Sequence, residues 1–298
     1  MGNDDSKLKI VIFGNVYQER KSMAVQKFFA VTAGMDVEVI IPRTFYDFLK
    51  TRQQIEVPQC TVVDDSEVPD ADVAVCLGGD GTFLDAASRV GRQEIPIVGV
   101  NTGRLGFLAN FSPEEMEDMI QNLFGRKYEV VEHSVIELSC EDEALNGYPC
   151  ALNEIAILKH DISAMISIHA SINGEYLTTY QADGLIVGTP TGSTAYSLSV
   201  GGPIIVPQLD TISLTPVAPH SLNMRPIIIG DDSVIDLTVE SRSGNFLISL
   251  DGRSSSYRDN IHLHIRKAPY KVKVVVHPEH SFFSTLRHKM MWGADPRK

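Results

Sequence analysis

The run GGDGT at residues 78–82 is the feature that most restricts the fold of this chain. The apolar stretch at 71–77 has the composition of a buried strand, and residues 83–88 have that of the start of a helix. Glycines at a strand-to-helix turn let backbone N–H groups approach an anion closely. Because Asp80 repels phosphate, we expect it to hold a cation, orient a hydroxyl or cap the helix. The combination indicates phosphoryl transfer between small molecules.

Strand-like and helix-like segments alternate over residues 7–110 around this run. Strands are predicted at 9–13, 37–41, 71–77 and 95–100, and helices at 17–32, at 44–54 and from 83 onwards. This order predicts a parallel sheet covered on both faces, as in Rossmann-like α/β domains. Ligands of such sheets bind at the carboxyl ends of strands. The GGDGT run and the sequence Asn-Thr-Gly at 101–103 both lie there.

The pattern changes after a helix predicted from a capping sequence, SPEE at 112–115, to about Gly125. The following segments are short and rich in β-forming residues: 130–139, 152–159, 164–172, 175–181, 184–188, 226–230, 233–240, 245–250, 260–265 and 270–276. Asn173-Gly174 between two alternating runs predicts a hairpin turn. The sequence therefore predicts a second, mostly antiparallel β domain, with the boundary near residues 110–130.

Composition restricts the partners. The 298 residues carry a formal net charge of −12, which argues against nucleic acid or an anionic membrane. No apolar run reaches the length of a membrane span, and the four cysteines, none in a CxxC pair, indicate free thiols in a reducing cytoplasm. No Walker lysine loop occurs, so the charge of a nucleoside triphosphate needs Mg²⁺ and scattered arginines.

A second glycine-rich block extends from Asp183 to Pro203 and carries a dense cluster of hydroxyls. Hydroxyls and free N–H groups suit sugar, base-edge and phosphate contacts, and Tyr196 adds a ring for stacking. The alternative is a long turn whose serines and threonines cap a helix. The length of the block, its acidic start and its pairing with a second glycine run favour a ligand site.

Three further features leave alternatives open. Asn153 and Glu154 interrupt an apolar strand, so we expect one to face solvent and the other to need a partner or ligand. Arg225 can anchor a phosphate or form an ion pair. His262 and His264 have the spacing of metal ligands on one strand face, but no third ligand is evident and a plain exposed face is favoured.

Together these motifs resemble those of the bacterial-type NAD kinases. The resemblance extends from about Asp72 to Leu250 and rests on the blocks at 78–82, 101–108, 153–154, 183–203 and 219–226. The glycine-aspartate run alone is shared with lipid kinases and phosphofructokinases. The block at 183–203, at this distance after Asn153-Glu154, is highly specific.

The resemblance implies transfer of the terminal phosphate of ATP to the 2′-hydroxyl of the adenosine ribose of NAD, which gives NADP. It implies a divalent metal cation, Mg²⁺, bound mainly through the nucleotide phosphates. It also implies an α/β domain at 1–125, to which a tail at about 281–298 returns, and an NAD-binding β-sandwich at 126–280. In this family NAD lies between subunits, so a cytoplasmic homodimer or homotetramer is implied.

The same resemblance implies roles for individual residues. Asp80 is the catalytic residue that accepts or orients the ribose hydroxyl proton, Asn153 and Glu154 hold ribose hydroxyls, and Phe107 lies beside the adenine pocket. The other implied binding residues are Gly81, Asn101, Arg104, Gln181, Asp183, Thr191, Thr194, Ala195, Tyr196, Ser197, Leu198, Ser199, Ala218 and Arg253. Gln181 stands where arginine is common in relatives, and Arg253 where Gln or Asn is common, which leaves donor choice and the preference between NAD and NADH open.

Two other functions fit part of the sequence. A lipid kinase would share the glycine-aspartate run but needs a hydrophobic entry to its site, against which the hydroxyl-rich stretch at 191–199 argues. A non-catalytic NAD sensor would require loss of Asp80 or of the glycines beside it, and these are intact.

Overall fold

The computed structural model describes residues 7–14, 22–67, 69–103, 106–161, 164–279 and 281–293. Its strands are β1 (Leu8–Gly14), β2 (Val37–Pro42), β3 (Thr61–Val63), β4 (Val73–Leu77), β5 (Ile97–Val100), β6 (Glu129–Cys140), β7 (Cys150–Ala151), β8 (Glu154–Lys159), β9 (Ile166–Ile172), β10 (Glu175–Ala182), β11 (Gly184–Gly188), β12 (Thr211–Val217), β13 (Ile227–Gly230), β14 (Ile235–Glu240), β15 (Asn245–Leu250), β16 (Arg253–Arg258) and β17 (His262–Val276). Its α-helices are α1 (Ser22–Thr32), α2 (Arg43–Thr51), α3 (Asp80–Val90), α4 (Met116–Phe124), α5 (Tyr196–Ser199) and α6 (Phe282–Met290). The chain divides into two compact units, one of residues 1–132 and 272–298 and the other of residues 133–271.

The first unit contains a parallel sheet with the strand order β3-β2-β1-β4-β5. The end of β17 continues it, with Val274 opposite Ile97. Every residue of β4 and β5 is buried, which is the pattern of strands covered on both faces. The predicted parallel α/β fold is therefore confirmed, with the short edge strand β3 as an addition.

The GGDGT run begins its helix earlier than the sequence suggested. Helix α3 starts at Asp80, with Gly79 as its N-cap residue, rather than at Phe83. A carboxylate in the first helical turn is favoured by the helix dipole. Since Leu77 lies opposite Val100 in the sheet, the start of α3 and the residues that follow β5 lie at the same sheet edge.

The helix predicted after the capping sequence starts later than expected. Helix α4 begins at Met116, because residues 113–115 first form a turn in which the N–H of Glu115 bonds to the carbonyl of Ser112. The Glu115 carboxylate still accepts the N–H of Ser112 at 2.6 Å, as the capping sequence suggested. Helix α1 is described from Ser22, and the earlier part of the predicted helix at 17–32 lies outside the described residues.

The second unit is built from antiparallel strands in two layers. One layer has the order β13-β12-β11-β8-β15-β16, and the other contains β10-β9-β14-β17. Both contribute to one apolar core, for example Ile157 and Val187 from the first layer and Ile168 and Leu237 from the second. This arrangement confirms the predicted mostly antiparallel β-sandwich.

The strands also show what the sequence pattern missed. Asn173 and Gly174 form the predicted hairpin turn, with φ of 53° and 79°. The two strands predicted at 260–265 and 270–276 are the single strand β17, which continues through Pro269. Strands β12, which contains Pro216, and β16, which is rich in serine, were not predicted because proline and serine depart from the usual composition of strands.

Gly184, at the start of β11, occupies a position without room for a methyl group. A Cβ there would lie 2.4 Å from the carbonyl oxygen of Ile157 and 2.7 Å from Cδ2 of Leu158. We expect Gly184→Ala to lower the free energy of unfolding by about 1–3 kcal/mol, because the backbone of β8 must shift. Urea denaturation followed by circular dichroism measures this change. Gly34→Ala is the control, since no described residue lies within 4 Å of a Cβ there, and an equal loss in both variants would contradict the prediction.

Candidate active site

The carboxylate of Asp80 is held by three consecutive backbone N–H groups. Its Oδ1 accepts from Leu108 and Ala109, both at 3.1 Å, and its Oδ2 accepts from Phe107 at 3.0 Å. The turn can approach this closely because residue 106 is glycine, where a Cβ would lie 2.0 Å from Oδ1. The carboxylate is thus fixed in one orientation by charge-assisted hydrogen bonds.

A fourth donor to Asp80 comes from the last turn of α6. Nζ of Lys289 lies 3.2 Å from Oδ2 of Asp80 and 4.7 Å from the centroid of the Phe107 ring. The Phe107 ring also packs against Phe282, the first residue of α6, with the ring centroids 6.0 Å apart. Sequence reasoning missed Lys289, because it predicted no helix in this segment and a single lysine carries no motif.

The residues that follow β4 and β5 at this sheet edge include a buried asparagine and two glycines. Asn101 is buried, and its Oδ1 accepts the N–H of Gly103 at 2.8 Å. At Gly79 and Gly81, no atom of the residues that the structure describes lies within 4 Å of the place that a Cβ would occupy, and neither residue has a positive φ. Their backbone would therefore tolerate side chains, and the lack of side chains leaves room at the start of α3. Arg104 lies outside the described residues.

In the second unit, Asn153 lies in the bend between β7 and β8, Glu154 is the first residue of β8, and both are only 9% exposed. The expectation that one of them faces solvent is therefore wrong. The reason is Asp251, whose carboxylate accepts three successive backbone N–H groups, from Leu152 at 2.7 Å, Asn153 at 2.8 Å and Glu154 at 3.1 Å. These bonds interrupt the strand and hold the bend inside the unit, an effect that the sequence pattern did not reveal.

The Glu154 side chain is buried without full hydrogen bonding. Its carboxyl interacts with the backbone N–H of Tyr196, but its Oε2 has no hydrogen-bond partner among the residues that the structure describes. Burial, and then the negative charge of Asp251, raise the pKa of Glu154 to about 7. An unpaired buried carboxyl oxygen is a place where a ligand hydroxyl can bind.

The hydroxyl-rich block folds as two short helical turns after β11. Residues Thr191–Thr194 form a 3₁₀ turn, and α5 follows. Two of its hydroxyls point inward: Oγ1 of Thr191 lies 2.8 Å from Nδ1 of His133, and Oγ of Ser197 lies 3.0 Å from Oγ1 of Thr215. Burial lowers the pKa of His133 to about 4, so its imidazole is neutral at pH 7. The buried hydroxyls of Thr191 and Ser197 therefore stabilise the fold of the block.

The remaining residues of this block are accessible to different degrees. Thr194, Ala195 and Leu198 are half-buried, Ser199 is exposed, and the Tyr196 side chain is 37% exposed. Oδ1 of Asp183, at the start of the block, forms an ion pair with Nζ of Lys159 at 2.7 Å.

Gln181 and Ala218 lie at exposed positions of the second unit. The Gln181 carbonyl accepts the N–H of His220 at 2.8 Å. Ala218 has a φ of 44°, in the left-handed region that side chains other than glycine rarely adopt. Such backbone strain is typical of positions that shape a site.

Arg253 bonds to backbone carbonyls of its own unit. Its guanidinium donates to Leu250 at 3.1 Å, to Tyr148 at 3.1 Å and to Cys150 at 2.7 Å. These bonds fasten the segment at 148–150 to the start of β16. The predicted contact of Arg253 with a nucleotide phosphate stays a prediction.

Comparisons with known proteins identify the family of the chain. The family model for the ATP-NAD kinase N-terminal domain matches residues 18–128, and that for the ATP-NAD kinase C-terminal domain matches residues 152–277. The NAD kinase of Bacteroides fragilis is 56% identical over 290 residues, which cover 97% of this chain and 100% of that protein. The NAD kinase of Porphyromonas gingivalis is 41% identical, with 97% of this chain and 99% of that protein covered.

Two solved structures share the fold. An NAD kinase from Archaeoglobus fulgidus in complex with ATP has a TM-score of 0.73 and 25% identity, and the match covers 95% of this chain and 99% of that chain. Yeast NADH kinase complexed with NADH has a TM-score of 0.89 at 23% identity, and the match covers 98% of this chain and 89% of that chain, a likeness of fold.

The two units define a two-domain kinase. One is the α/β unit, with its aspartate at a glycine-rich helix start, and the other is the β-sandwich unit. More particularly, the chain belongs to the ATP-NAD kinase family, and its reaction is the ATP-dependent phosphorylation of NAD to NADP. No helix in the described part of the chain has the length and apolar character needed to cross a membrane.

The raised pKa of Glu154 predicts a pH-dependent stability. Its pKa is 4.5 as the ordinary value and about 7 in the fold, so between these values the folded state binds more protons than the unfolded state. The free energy of unfolding should therefore fall as pH rises from about 5 to 8, by up to about 3 kcal/mol from this group. Glu154→Gln removes this titration.

Urea denaturation of the wild type and of Glu154→Gln at pH 5.5 and pH 8 measures the effect. The stability of the wild type relative to the variant should be lower at pH 8 than at pH 5.5. The same difference at both pH values would show that Glu154 does not titrate in this range.

Proposed function

We propose that this NAD kinase phosphorylates the 2′-hydroxyl of the adenosine ribose of NAD, with Asp80 as the group that receives the hydroxyl proton. The observation that carries the role of Asp80 is its carboxylate, oriented by three backbone N–H groups at the carboxyl edge of the parallel sheet. Such an edge is where ligands of α/β sheets bind. A carboxylate held in one orientation needs little rearrangement to accept a proton.

The chemistry requires a base because a ribose hydroxyl is a very weak acid. The 2′-oxygen forms a bond to the terminal phosphorus of ATP, the bond from this phosphorus to the bridging oxygen breaks, ADP leaves, and the hydroxyl proton passes to Asp80. A positioned base contributes typically ~10²–10⁴-fold to the rate. The rest comes from in-line placement and from stabilisation of the phosphoryl oxygens.

The start of α3 supports a place for phosphate beside Asp80. The first N–H groups of a helix have no partner within the helix and favour an anion. Because Gly79 and Gly81 carry no side chains and no other described residue crowds their Cβ positions, a phosphate can approach these N–H groups closely. This explains glycines at positions whose backbone conformation does not require them.

The divalent cation in this proposal is Mg²⁺, which offsets phosphate charge when it is bound with the nucleotide. In the described ranges, no group of three or more His, Cys, Asp or Glu residues could hold a metal ion. We propose that the cation is held mainly through the nucleotide phosphates. His262 and His264 instead contact the carboxylates of Asp142 and Asp236.

Asn153 and Glu154 hold the ribose hydroxyls of NAD in this proposal. A hydroxyl would supply the partner that Oε2 of Glu154 lacks among the described residues, and a carboxyl group with a pKa of about 7 can donate or accept this bond. The rest of NAD is surrounded in this proposal by the accessible residues of the block, and the Tyr196 ring is available for stacking. These residues are Thr194, Ala195, Tyr196, Leu198 and Ser199. Thr191 and Ser197 stabilise this surface from inside the unit, since the Thr191 hydroxyl contacts His133 and the Ser197 hydroxyl contacts Thr215.

The decisive experiment is to incubate the purified protein with ATP, Mg²⁺ and NAD and to measure NADP. Asp80→Asn should retain the fold and NAD binding but lose most of the turnover, by about 10²-fold or more, because the amide cannot take the proton. Formation of NADP is followed with an NADP-specific dehydrogenase. A kcat close to that of the wild type in Asp80→Asn would remove the base role, and absence of NADP from the wild type would contradict the proposed reaction.

We also propose that the enzyme is a homodimer or homotetramer of the reducing cytoplasm. The four cysteines are all free thiols, which suits a reducing compartment. Leu222 and Ile228 of the second unit are 87% and 47% exposed, and in this proposal they are apolar side chains that another subunit covers. Light scattering coupled to size-exclusion chromatography should give two or four subunits, and a stable monomer in the active enzyme would contradict the proposal.

A further inference from the structure

The Asp80 carboxylate is fully occupied by donors. A carboxylate has about four lone-pair directions, and Asp80 accepts from three backbone N–H groups and from Nζ of Lys289. The three N–H groups belong to one turn of the backbone and cannot leave separately. Lys289 is the donor that can move, because it is on a flexible stem and its side chain is 35% exposed.

We propose that Lys289 is a nucleotide-binding residue that moves from Asp80 to a phosphoryl oxygen of the bound donor, and so frees Oδ2 of Asp80 for the ribose proton. This inference rests on the proposed role of Asp80. In this proposal the negative charge of the bound phosphoryl donor draws Lys289 away from Asp80. Asp80 is therefore available as a base only when a phosphate is bound.

The charge balance of the chain supports this role. With a net charge of −12 and no Walker lysine loop, the chain needs a local cation to bind a triphosphate. Arg89 lies on α3, as Asp80 does, but its guanidinium is paired with the carboxylates of Asp65 and Asp85. Among the described residues, Lys289 pairs with one carboxylate, that of Asp80, and a terminal phosphate with more negative charge would compete for its ammonium group.

Helix α6 is built to present Lys289 at this place. Its first turn is closed by a capping box, in which the Ser281 hydroxyl accepts the N–H of Ser284 and the Ser284 hydroxyl accepts the N–H of Ser281. Thr285 and Leu286 are buried, at 5% and 7% exposed. The helix is therefore anchored through its beginning and middle, while the ammonium group in its last turn remains free to change partners.

The competing explanation is that Lys289 only fastens α6 to the rest of its unit. The two explanations differ in what they predict for nucleotide affinity, since a fastening contact changes stability without favouring one substrate. The test therefore measures binding of each substrate separately from turnover.

Lys289→Met keeps the length and apolar character of the stem and removes the charge. The dissociation constant of the non-hydrolysable β,γ-imido analogue of ATP, measured by calorimetry with Mg²⁺, should rise about tenfold or more, because a charge-assisted hydrogen bond is lost. The dissociation constant of NAD should change less than twofold. Lys289→Arg should recover most of the affinity for the analogue, and Lys273→Met is the matched control.

The control residue suits the comparison because Lys273 lies in the same unit, is 33% exposed and pairs with Glu94 at 3.3 Å. An unchanged affinity for the analogue in Lys289→Met, with a lower melting temperature, would overturn the inference and leave a fastening role. Equal weakening of both substrates would overturn it as well. If the wild type produces NADP and Lys289→Met binds the analogue normally, the inference about Lys289 is wrong and the proposed function stands. If the wild type produces no NADP, the proposed function itself is wrong.

Discussion

The hydrogen bonds between the Asp80 carboxylate and the backbone of residues 107–109 connect the parts of the first unit that form its site. Asp80 is the first residue of α3, which follows β4, whereas the donors come from the chain that follows β5. The parallel pairing of β4 and β5 brings these segments to one sheet edge. The glycine at 106 then allows the turn to reach the carboxylate. Without these bonds the carboxylate would have many orientations, and α6 would lose the partner of Lys289.

The second unit uses the same type of contact for a different result. Asp251 also accepts three successive backbone N–H groups, and it thereby holds Asn153 and Glu154 in a buried bend. In this case the fixed carboxylate is a structural element, and it places a second carboxyl group nearby. Burial and the charge of Asp251 both make ionisation of Glu154 costly. The unit thus keeps buried a carboxyl oxygen that has no hydrogen-bond partner among the described residues, although this burial is unfavourable, and such a feature is typical of ligand sites.

Much of the fold could be predicted from sequence because its signals are local. The alternation of apolar strands and helices predicted the parallel sheet, and Asn173-Gly174 predicted a turn that the backbone forms with two positive φ values. Strands β12 and β16 could not be predicted in the same way. Pro216 and the serines of β16 are poor strand formers, and neighbouring strands impose the extended conformation on them.

The sequence by itself determined the class of fold and the chemistry of the site, because apolar periodicity, glycine runs and acidic residues act within short segments. Only the tertiary structure decided what surrounds each carboxylate. The donors to Asp80 lie between 27 and 209 positions away along the chain, and those to Asp251 lie 97 to 99 positions away. Hydrogen bonds over such separations depend on strand register and helix packing. The sequence next to each residue contains no signal that predicts them. The start of α3 at Asp80 and the partnership with Lys289 follow from that packing.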